Sequence, residues 1–172
     1  MVMKLEDRID TIPNFPKQGI MFRHFGPILE DPHAMALMVE EFAKQLHPSE
    51  VDAFVGIESR GFIIATALAL HYKKPLIMIR KAGKLPGETL KISYDIEYGS
   101  DTMEIEKGKI KQDQRIVICD DLLATGGTAA AAATLVKEAG GKVSAMAFVI
   151  ELGDLNGCKL LSSYKRISLV IY

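Results

Sequence analysis

Two adjacent carboxylates, Asp120 and Asp121, stand just upstream of a segment rich in glycine and threonine at residues 125–128. The apolar run at 116–119 leads into them, which indicates a buried strand that delivers both carboxylates to the edge of a sheet. Glycines let backbone N–H groups approach an anion closely, and the helix that this segment opens adds a partial positive charge. Carboxylates repel phosphate but accept hydrogen bonds from sugar hydroxyls. The pattern therefore predicts a ligand that has both groups, a ribose 5-phosphate.

A second interpretation of residues 125–128 is a plain helix cap, in which a threonine hydroxyl closes the first turn. The strand and the carboxylate pair that precede the segment favour phosphate binding instead. The segment is not a Walker loop, because it lacks the lysine and the longer glycine spacing of that motif. A dinucleotide-binding module is excluded as well, since no G-x-G-x-x-G follows the first predicted strand.

Two further polar segments carry cations that suit phosphate oxygens. Residues 58–61, Glu-Ser-Arg-Gly, interrupt the chain after an apolar run, and Arg60 offers a planar guanidinium to a phosphate group. Gly61 is predicted to open a helix, whose first N–H groups would add donors. The next predicted strand is followed by three more cations, Arg80, Lys81 and Lys84. Taken alone, all of these charges are also typical of a solvated surface.

The rest of the pattern predicts the elements that position these groups. Strands are expected at 53–57, 75–79, 115–120, 143–150 and 167–171. Helices are expected after Asp31 and Pro32, from Gly61 to about Tyr72, and through the alanine-rich run that ends at 140–141. The polar stretch from 81 to about 108 is either a hairpin or a mobile flap. Alternating strands and helices indicate an α/β fold with a mostly parallel sheet, in which ligands bind outside the carboxyl ends of the strands.

Composition and charge narrow the class of protein. The chain has 172 residues, 48% of them hydrophobic and 25% charged, which suits one compact domain. Its formal net charge of −1 provides no basic field for nucleic acid, so local groups must hold any anion. No apolar run approaches the ~18–20 residues of a membrane span, and the N-terminus lacks a signal-peptide core. Cys119 and Cys158 form no disulfide or metal pattern, so we expect a cytoplasmic protein.

At this level of detail the chain resembles the type I phosphoribosyltransferase family, and within it the members that use adenine. The resemblance covers nearly the whole chain. It rests on five segments that occur in the family's order, at 14–23, 58–62, 79–87, 93–99 and 120–128. One departure is His24, which stands where the family usually has aspartate and which leaves the phosphate segments untouched.

The resemblance implies a type I phosphoribosyltransferase fold, a single domain over 1–172 with a mostly parallel central sheet flanked by helices. It also implies a small N-terminal hood over about 1–30 that binds the base, and a flexible flap over about 82–107. The implied reaction joins adenine to phosphoribosyl pyrophosphate and releases AMP and pyrophosphate. Mg²⁺ is the implied cofactor, held by substrate oxygens rather than directly by side chains, with a water-mediated contact to Asp120 or Asp121. Family members are usually homodimers, and neither nucleic acid nor a membrane is expected as a partner.

The site residues that the resemblance implies fall into four groups. The ribose hydroxyls are assigned to Asp120 and Asp121, and the 5-phosphate to Ala124, Thr125, Gly126, Gly127 and Thr128. Pyrophosphate is assigned to Glu58, Ser59, Arg60, Gly61, Arg80, Lys81, Lys84 and Tyr98, with a cis peptide bond between Glu58 and Ser59. Adenine is assigned to Met21, Phe22, Arg23 and Leu152, with Phe22 stacking on the purine. The catalytic candidates are Arg60 and Glu97, the latter as the group that exchanges a proton with the purine.

Alternatives remain at this point for single residues and for the whole chain. Phe22 can be a core aromatic, and Glu97 can be an exposed strand carboxylate. The nearest rival function is a transferase of the same fold for another purine, although the flap and hood segments match the adenine members. A non-catalytic regulator that senses phosphoribosyl pyrophosphate would be expected to carry a DNA-binding extension or a basic face. Such a sensor need not keep Arg60 and the flap.

Overall fold

The computed structural model describes residues 3–96 and 99–172. Its strands are β1 (Asp10–Pro13), β2 (Met21–His24), β3 (Ala53–Ile57), β4 (Leu76–Lys81), β5 (Thr89–Ile96), β6 (Gly99–Glu106), β7 (Arg115–Leu123), β8 (Lys142–Glu151) and β9 (Arg166–Ile171). Its α-helices are α1 (Gly26–Glu30), α2 (Pro32–Ala43), α3 (Gly61–Tyr72), α4 (Gly127–Glu138) and α5 (Gly157–Leu160), and 3-10 turns occur at Leu5–Arg8, Pro48–Glu50 and Gly153–Leu155. No helix in the described part of the chain has the length and apolar character needed to span a membrane.

The central sheet has seven strands in the order β5-β6-β4-β3-β7-β8-β9. Strands β4, β3, β7, β8 and β9 run parallel, whereas β6 and β5 add an antiparallel edge. The predicted mostly parallel α/β sheet is therefore confirmed. The predicted end of one strand at Asp120 is wrong, because β7 continues to pair with β8 through Leu122 and Leu123. Leu123 is almost fully buried, and its burial favours continuation of the strand.

Side chains from the central strands alternate between two cores, one on each face of the sheet. Phe54 and Val117 belong to the core that α2 and α3 cover. Val55 and Ile118 belong to the core beneath α4, whose buried alanines let the helix approach the sheet closely. Each large apolar side chain buried in this way contributes about 1.5–3 kcal/mol. The two covered faces leave the edge at the carboxyl ends of the strands as the place for a ligand.

Two antiparallel pairs lie at the margins of this framework. β5 and β6 pair over their whole length, so the polar stretch at 81–108 contains the hairpin that was one of its two predicted interpretations. β1 and β2 form a separate two-stranded sheet, which the sequence did not predict. Their side chains are exposed or half-buried on both faces, so the alternation that reveals a strand is missing.

A polar contact joins the start of β7 to the residue before β3. The Asp52 carboxylate accepts hydrogen bonds from Arg115, from the backbone N–H at 2.8 Å, from Nε at 2.8 Å and from Nη2 at 2.7 Å. These side-chain bonds to Arg115 are the main reason that the pKa of Asp52 lies well below its usual range. The pair therefore stabilises the folded chain as long as the carboxylate is charged.

We expect Asp52→Asn to lower the midpoint of thermal unfolding by about 2–4 °C at pH 7, which corresponds to about 1 kcal/mol in a domain of this size. A lowered pKa gives stability that is complete above the unfolded-state pKa of aspartate and is lost as the pH falls toward the folded-state pKa. The difference from the wild type, measured by scanning calorimetry, should therefore be smaller at pH 3 than at pH 7. The control is Asp113→Asn, an exposed partner of Lys142, for which we expect a change below about 1 °C. A difference for Asp52→Asn that grows toward pH 3 would contradict this account.

Candidate active site

Residues at the ends of four parallel strands meet at one edge of the central sheet, and three of them are charged. Glu58 follows β3, Lys81 ends β4, Asp121 lies near the end of β7 and Leu152 follows β8. Parallel strands place their carboxyl ends on the same edge, so this convergence follows from the topology. Two adjoining cavities of about 390 and 210 Å³ open there, and both are lined by Arg60, Asp120, Asp121 and Thr128.

The two adjacent carboxylates have different surroundings. Asp121 is buried, and its Oδ2 lies 2.7 Å from Nε of Arg60. The backbone N–H of Asp121 donates a hydrogen bond to Oδ1 of Asp120 at 2.9 Å. The pKa of Asp120 is raised above its ordinary value, mainly by desolvation and secondly by the neighbouring Asp121 carboxylate. The cavity thus contains two carboxylate acceptors, one of which is already paired with a cation.

The predicted phosphate-binding segment forms the connection between β7 and α4. Gly126 is the N-cap of α4 and has a φ of +87°, a backbone conformation that favours glycine. The first N–H groups of a helix lack partners within the helix, so α4 offers donors to an anion at this point. The smaller cavity is lined by Ala124, Thr125, Gly126 and Thr128. The geometry of this segment is therefore that of an anion-binding helix N-terminus beside two carboxylates.

Two glycines outside the segment allow other elements to pack against it. At Gly61, the first residue of α3, a Cβ would lie 2.5 Å from the Cys119 carbonyl oxygen. At Gly157, the first residue of α5, a Cβ would collide with the Ala124 carbonyl oxygen and lie 2.9 Å from the Gly126 nitrogen. Gly157 was not among the predicted site residues. Its sequence signal is the Asn-Gly pair at 156–157, which is typical of a turn and carries no indication of this contact.

Glu58 joins the loop after β3 to the basic residues at the end of β4. Its carboxylate accepts hydrogen bonds from Nε and Nη2 of Arg80, at 3.2 and 3.1 Å. It also accepts a hydrogen bond from the backbone N–H of Lys81 at 2.8 Å. The side-chain bonds to Arg80 are the main reason that the pKa of Glu58 lies below its ordinary value. The peptide bond between Glu58 and Ser59 is cis, as the resemblance implied.

Some of the residues predicted to bind pyrophosphate line the larger cavity, and others lie behind it or at the surface. The larger cavity is lined by Glu58, Ser59, Arg60 and Lys81. Arg80 is half-buried behind Glu58, and Nη1 of Arg80 donates to the Lys84 carbonyl oxygen at 3.2 Å. The Lys84 side chain is exposed. The structure therefore brings the backbone of Lys84, rather than its ammonium group, into the described network.

Tyr94 and Asp101 line the larger cavity but were not predicted as site residues. They are cross-strand partners in the β5–β6 hairpin. Asp101 lies 3.1 Å from Nζ of Lys81, and this ion pair lowers the pKa of Asp101 and raises that of Lys81. Tyr94 lines the larger cavity together with Thr128, and desolvation is the main reason that the pKa of Tyr94 is raised. The alternating pattern left a hairpin and a mobile flap as alternatives, and only the structure shows that these two residues line the cavity.

The predicted base-binding residues divide between the β1–β2 sheet and the residue after β8. The Phe22 ring is half-buried, with the Arg60 guanidinium carbon 5.9 Å from its centroid and the Phe15 ring 5.1 Å away. The Arg23 guanidinium instead lies 3.8 Å from the Tyr172 ring centroid, so its side chain is engaged outside the cavity. Met21 is half exposed. Leu152 is half-buried and is tied by its N–H to the Leu123 carbonyl.

Two predicted residues, Glu97 and Tyr98, lie outside the described residues. Over 3–96 and 99–172, no three His, Cys, Asp or Glu side chains cluster as ligands for a metal ion. Asp120 and Asp121 do offer the hard oxygen donors that Mg²⁺ prefers, beside a loop suited to phosphate. The described groups can therefore hold an anion, accept hydrogen bonds from hydroxyls and contact a Mg²⁺ ion that phosphate oxygens carry.

Comparison with known proteins gives a consistent family. The model of the phosphoribosyl transferase domain matches residues 28–168. The adenine phosphoribosyltransferase of Nitrosopumilus maritimus is 61% identical over 170 residues, covering 99% of this chain and 100% of its own length. The adenine phosphoribosyltransferase of Cenarchaeum symbiosum is 50% identical over 170 residues, with the same coverage of both chains.

Solved structures agree with these relatives. The adenine phosphoribosyltransferase of Thermoanaerobacter pseudethanolicus superposes with a TM-score of 0.94 at 43% identity, covering 98% of each chain. The Saccharomyces cerevisiae enzyme, complexed with an imino-altritol bisphosphate and adenine, gives 0.92 at 39% identity and 96% coverage of each chain. The Trypanosoma brucei enzyme, in complex with AMP, pyrophosphate and ribose-5-phosphate, gives 0.87 at 27% identity, covering 97% of this chain and 77% of that one.

Proposed function

The chain belongs to the adenine phosphoribosyltransferase family, and we propose that it transfers the 5-phosphoribosyl group of phosphoribosyl pyrophosphate to adenine, giving AMP and pyrophosphate. The observation that carries this proposal is the carboxylate pair beside the N-terminus of α4, at one edge of the sheet, in a chain 61% identical to a member of that family. The ligands of the trypanosomal relative, AMP, pyrophosphate and ribose-5-phosphate, are the groups for which this cavity offers partners. The reaction is a step of purine salvage.

The ribose 5-phosphate half of the substrate is assigned to the end of β7 and the start of α4. Asp120 and Asp121 would accept hydrogen bonds from the ribose hydroxyls. The 5-phosphate would take donors from the backbone and hydroxyls of Ala124, Thr125, Gly126, Gly127 and Thr128. Bond breaking at the anomeric carbon builds positive charge on the ribose, as it does in glycoside hydrolysis. The nearby carboxylates would stabilise that charge while the cationic residues hold the leaving group.

The pyrophosphate group is assigned to the loop after β3 and the basic end of β4, with Glu58, Ser59, Arg60, Gly61, Arg80, Lys81, Lys84 and Tyr98 as its proposed surroundings. The guanidinium of Arg60 is paired with Asp121, and Arg60 lines both cavities. We assign Arg60 a catalytic role, because it can neutralise charge on the departing pyrophosphate. When bound, Mg²⁺ would share that neutralisation through substrate oxygens, with Asp120 or Asp121 in contact through water.

Adenine is assigned to the N-terminal hood, about residues 1–30, and to Leu152. The Phe22 ring beside Arg60 supports this placement, since it would bring a stacked purine next to the cavity. Backbone groups of Met21 and Arg23 would read the edge of the base, which leaves the Arg23 side chain free for its contact with Tyr172. The flap, about residues 82–107, would close over the bound substrates and exclude water from the reactive sugar.

Glu97 on this flap is the proposed proton acceptor. As the C–O bond to pyrophosphate breaks and the C–N bond to adenine forms, adenine loses a proton that Glu97 would take and return in the reverse reaction. We expect Glu97→Gln to lower kcat about a hundredfold with little change in the KM for phosphoribosyl pyrophosphate. Steady-state kinetics with Asp95→Asn, an exposed carboxylate on β5, provides the control. Full turnover by Glu97→Gln would remove the acid–base assignment.

The test of the whole proposal combines the protein with Mg²⁺, phosphoribosyl pyrophosphate and adenine, hypoxanthine or guanine in turn. Nucleotide formation with adenine alone, followed by chromatography, is the expected result. Turnover with hypoxanthine or guanine instead would indicate a transferase for another purine. Binding of phosphoribosyl pyrophosphate without turnover of any base would indicate a sensor, and would sink the enzymatic proposal while leaving the fold intact.

We also propose a cytoplasmic homodimer. Cys119 and Cys158 are both free thiols, which supports a reducing compartment. Ile63 and Leu70 are exposed on α3 and are seven residues apart, so they share one face of that helix. An exposed apolar face of this kind supports association with a second copy. Sedimentation equilibrium is expected to give twice the mass of 18.9 kDa, and a monomer at every concentration would refute the dimer.

A further inference from the structure

Glu104 is a buried carboxylate in β6 for which the proposed reaction has no role. It is 1% exposed. Its Oε1 accepts hydrogen bonds from the backbone N–H groups of Lys84, at 2.9 Å, and Leu85, at 3.0 Å. Its Oε2 accepts a hydrogen bond from the Thr89 hydroxyl at 3.1 Å and lies 3.5 Å from Nζ of Lys91. One carboxylate thus joins the turn after β4 to the beginning of β5.

The backbone bond from Leu85 is the largest of the contacts that hold the pKa of Glu104 below its ordinary value. The group is therefore charged at neutral pH, although it is buried. A charge in such a position destabilises the fold unless all of its partners are present. The turn, the Thr89 hydroxyl and the Lys91 ammonium supply those partners, so their relative positions are fixed by a single side chain.

The turn that Glu104 holds is continuous with the pyrophosphate side of the cavity. The Lys84 carbonyl oxygen accepts a hydrogen bond from Nη1 of Arg80 at 3.2 Å. Arg80 in turn donates two hydrogen bonds to Glu58, at 3.2 and 3.1 Å. A displacement of the turn therefore displaces Arg80, and with it the carboxylate that orders the loop after β3.

We propose that Glu104 is a positioning residue for the pyrophosphate end of phosphoribosyl pyrophosphate. By fixing two consecutive backbone N–H groups, it holds the turn so that Arg80 keeps Glu58, and with it the loop that carries Ser59 and Arg60, in place for the phosphate oxygens before the substrate arrives. The inference rests on the proposed function, because that function assigns this loop to pyrophosphate. Placement of binding groups before the substrate arrives lowers the ordering cost of binding, so its loss weakens affinity for the group concerned.

The expected result is a selective loss of affinity. Glu104→Ala should raise the KM for phosphoribosyl pyrophosphate at least about tenfold and should weaken the binding of magnesium pyrophosphate, titrated calorimetrically, by a similar factor. The KM for adenine should stay within about twofold of the wild type. Glu104→Gln keeps an oxygen for the two backbone N–H groups, so its KM for phosphoribosyl pyrophosphate should rise less than about threefold.

Glu104→Asp tests whether the length of the side chain matters when its charge is kept. It also serves as the test if the Glu104→Ala protein does not fold. It keeps the carboxylate but shortens the side chain, so it should impair pyrophosphate binding more than Glu104→Gln does. The matched control is Glu106→Gln, a half-buried carboxylate on the same strand that lies 3.7 Å from Nζ of Lys109, and it should change neither KM.

Two results would overturn the positioning role. One is a Glu104→Ala or Glu104→Asp protein in which both KM values rise equally, which a general loss of structure would produce. The other is a Glu104→Asp protein with wild-type binding of magnesium pyrophosphate. Turnover of adenine by the wild type is measured first. Its absence refutes the proposed function, whereas wild-type turnover together with unaffected Glu104 variants refutes only the role of Glu104.

Discussion

Replacing Asp120 and Asp121 together by Asn is expected to lower kcat/KM for phosphoribosyl pyrophosphate by about a thousandfold or more. The side-chain volume barely changes, so the cavity keeps its shape. What changes is the chemistry of the acceptors: two carboxyl groups become neutral amides beside a ribose that gains positive charge in the transition state. A hydroxyl bonded to a carboxylate is also held more strongly than one bonded to an amide. Both binding and the chemical step should therefore suffer.

The single variants should differ in a way that the geometry predicts. Asp121 is the partner of Arg60 at 2.7 Å, so Asp121→Asn also releases that guanidinium. Asp120→Asn leaves that ion pair in place. We therefore expect Asp120→Asn to act mainly through the ribose contact, and Asp121→Asn to change pyrophosphate binding as well. Isothermal titration with pyrophosphate alone distinguishes the two effects.

A charge-matched control makes the double variant interpretable. Asp113 and Glu138 are exposed and lie just before the start of β7 and at the end of α4, so replacing them by Asn and Gln removes the same formal charge at the opposite ends of these elements from the cavity. This control should keep kcat/KM within about twofold of the wild type. Unchanged affinity and turnover in the Asp120→Asn, Asp121→Asn protein would rule out the ribose-binding assignment of the pair.

Enlarging Gly157 is expected to have the second-largest effect, about a hundredfold loss of kcat/KM for Gly157→Ala and a larger loss for Gly157→Val. A Cβ at this position collides with the Ala124 carbonyl oxygen and lies 2.9 Å from the Gly126 nitrogen. Both neighbours are backbone atoms, which cannot rotate away as the end of a side chain can. The proposed phosphate-binding segment must therefore shift, and the donors that we assign to the 5-phosphate shift with it.

Gly153→Ala is the matched control for this series. It adds the same methyl group four residues earlier, where the nearest atom, the Tyr172 carbonyl oxygen, would be 3.2 Å away. A neighbour at that distance needs to move only slightly, so activity should stay within about threefold of the wild type. The affinity for ribose 5-phosphate should fall in the Gly157 variants, while the midpoint of thermal unfolding reports any loss of the fold. A fully active Gly157→Ala protein would show that the segment tolerates the displacement.

Much of this fold could be predicted from periodicity. The apolar runs at β3, β7 and β8 predict buried strands, because strands covered on both faces leave no polar positions. Helix α4 could be predicted because its alanines repeat without interruption between a glycine-rich start and a glycine-rich end. The order of strands in the sheet and the pairing of β1 with β2 could not be predicted in this way. Strand order depends on which runs meet after folding, and the β1 and β2 residues show no alternation of burial.

The same division holds for the site. The carboxylates and the segment at 120–128 could be recognised because their chemistry is contiguous in the sequence: the residues proposed to contact one ribose 5-phosphate lie within nine positions. Their proposed role as a ribose 5-phosphate site followed from residue types and their order in the sequence. The base that the site uses did not, because its proposed contacts are largely backbone groups, and the adenine family membership rests on the comparisons.

Tertiary structure decided the contacts between segments that are distant in sequence. The sequence by itself determined that residues 120–128 form a strand end, two carboxylates and a helix start suited to phosphate. Only the fold brings Arg60 to 2.7 Å from Asp121, places Gly157 beneath Ala124, and ties Glu104 to the turn at Lys84. The physical reason is that a local pattern reports the conformation and burial of its own residues. The partner of a buried charge or of a close-packed glycine is selected when distant strands pack into one sheet.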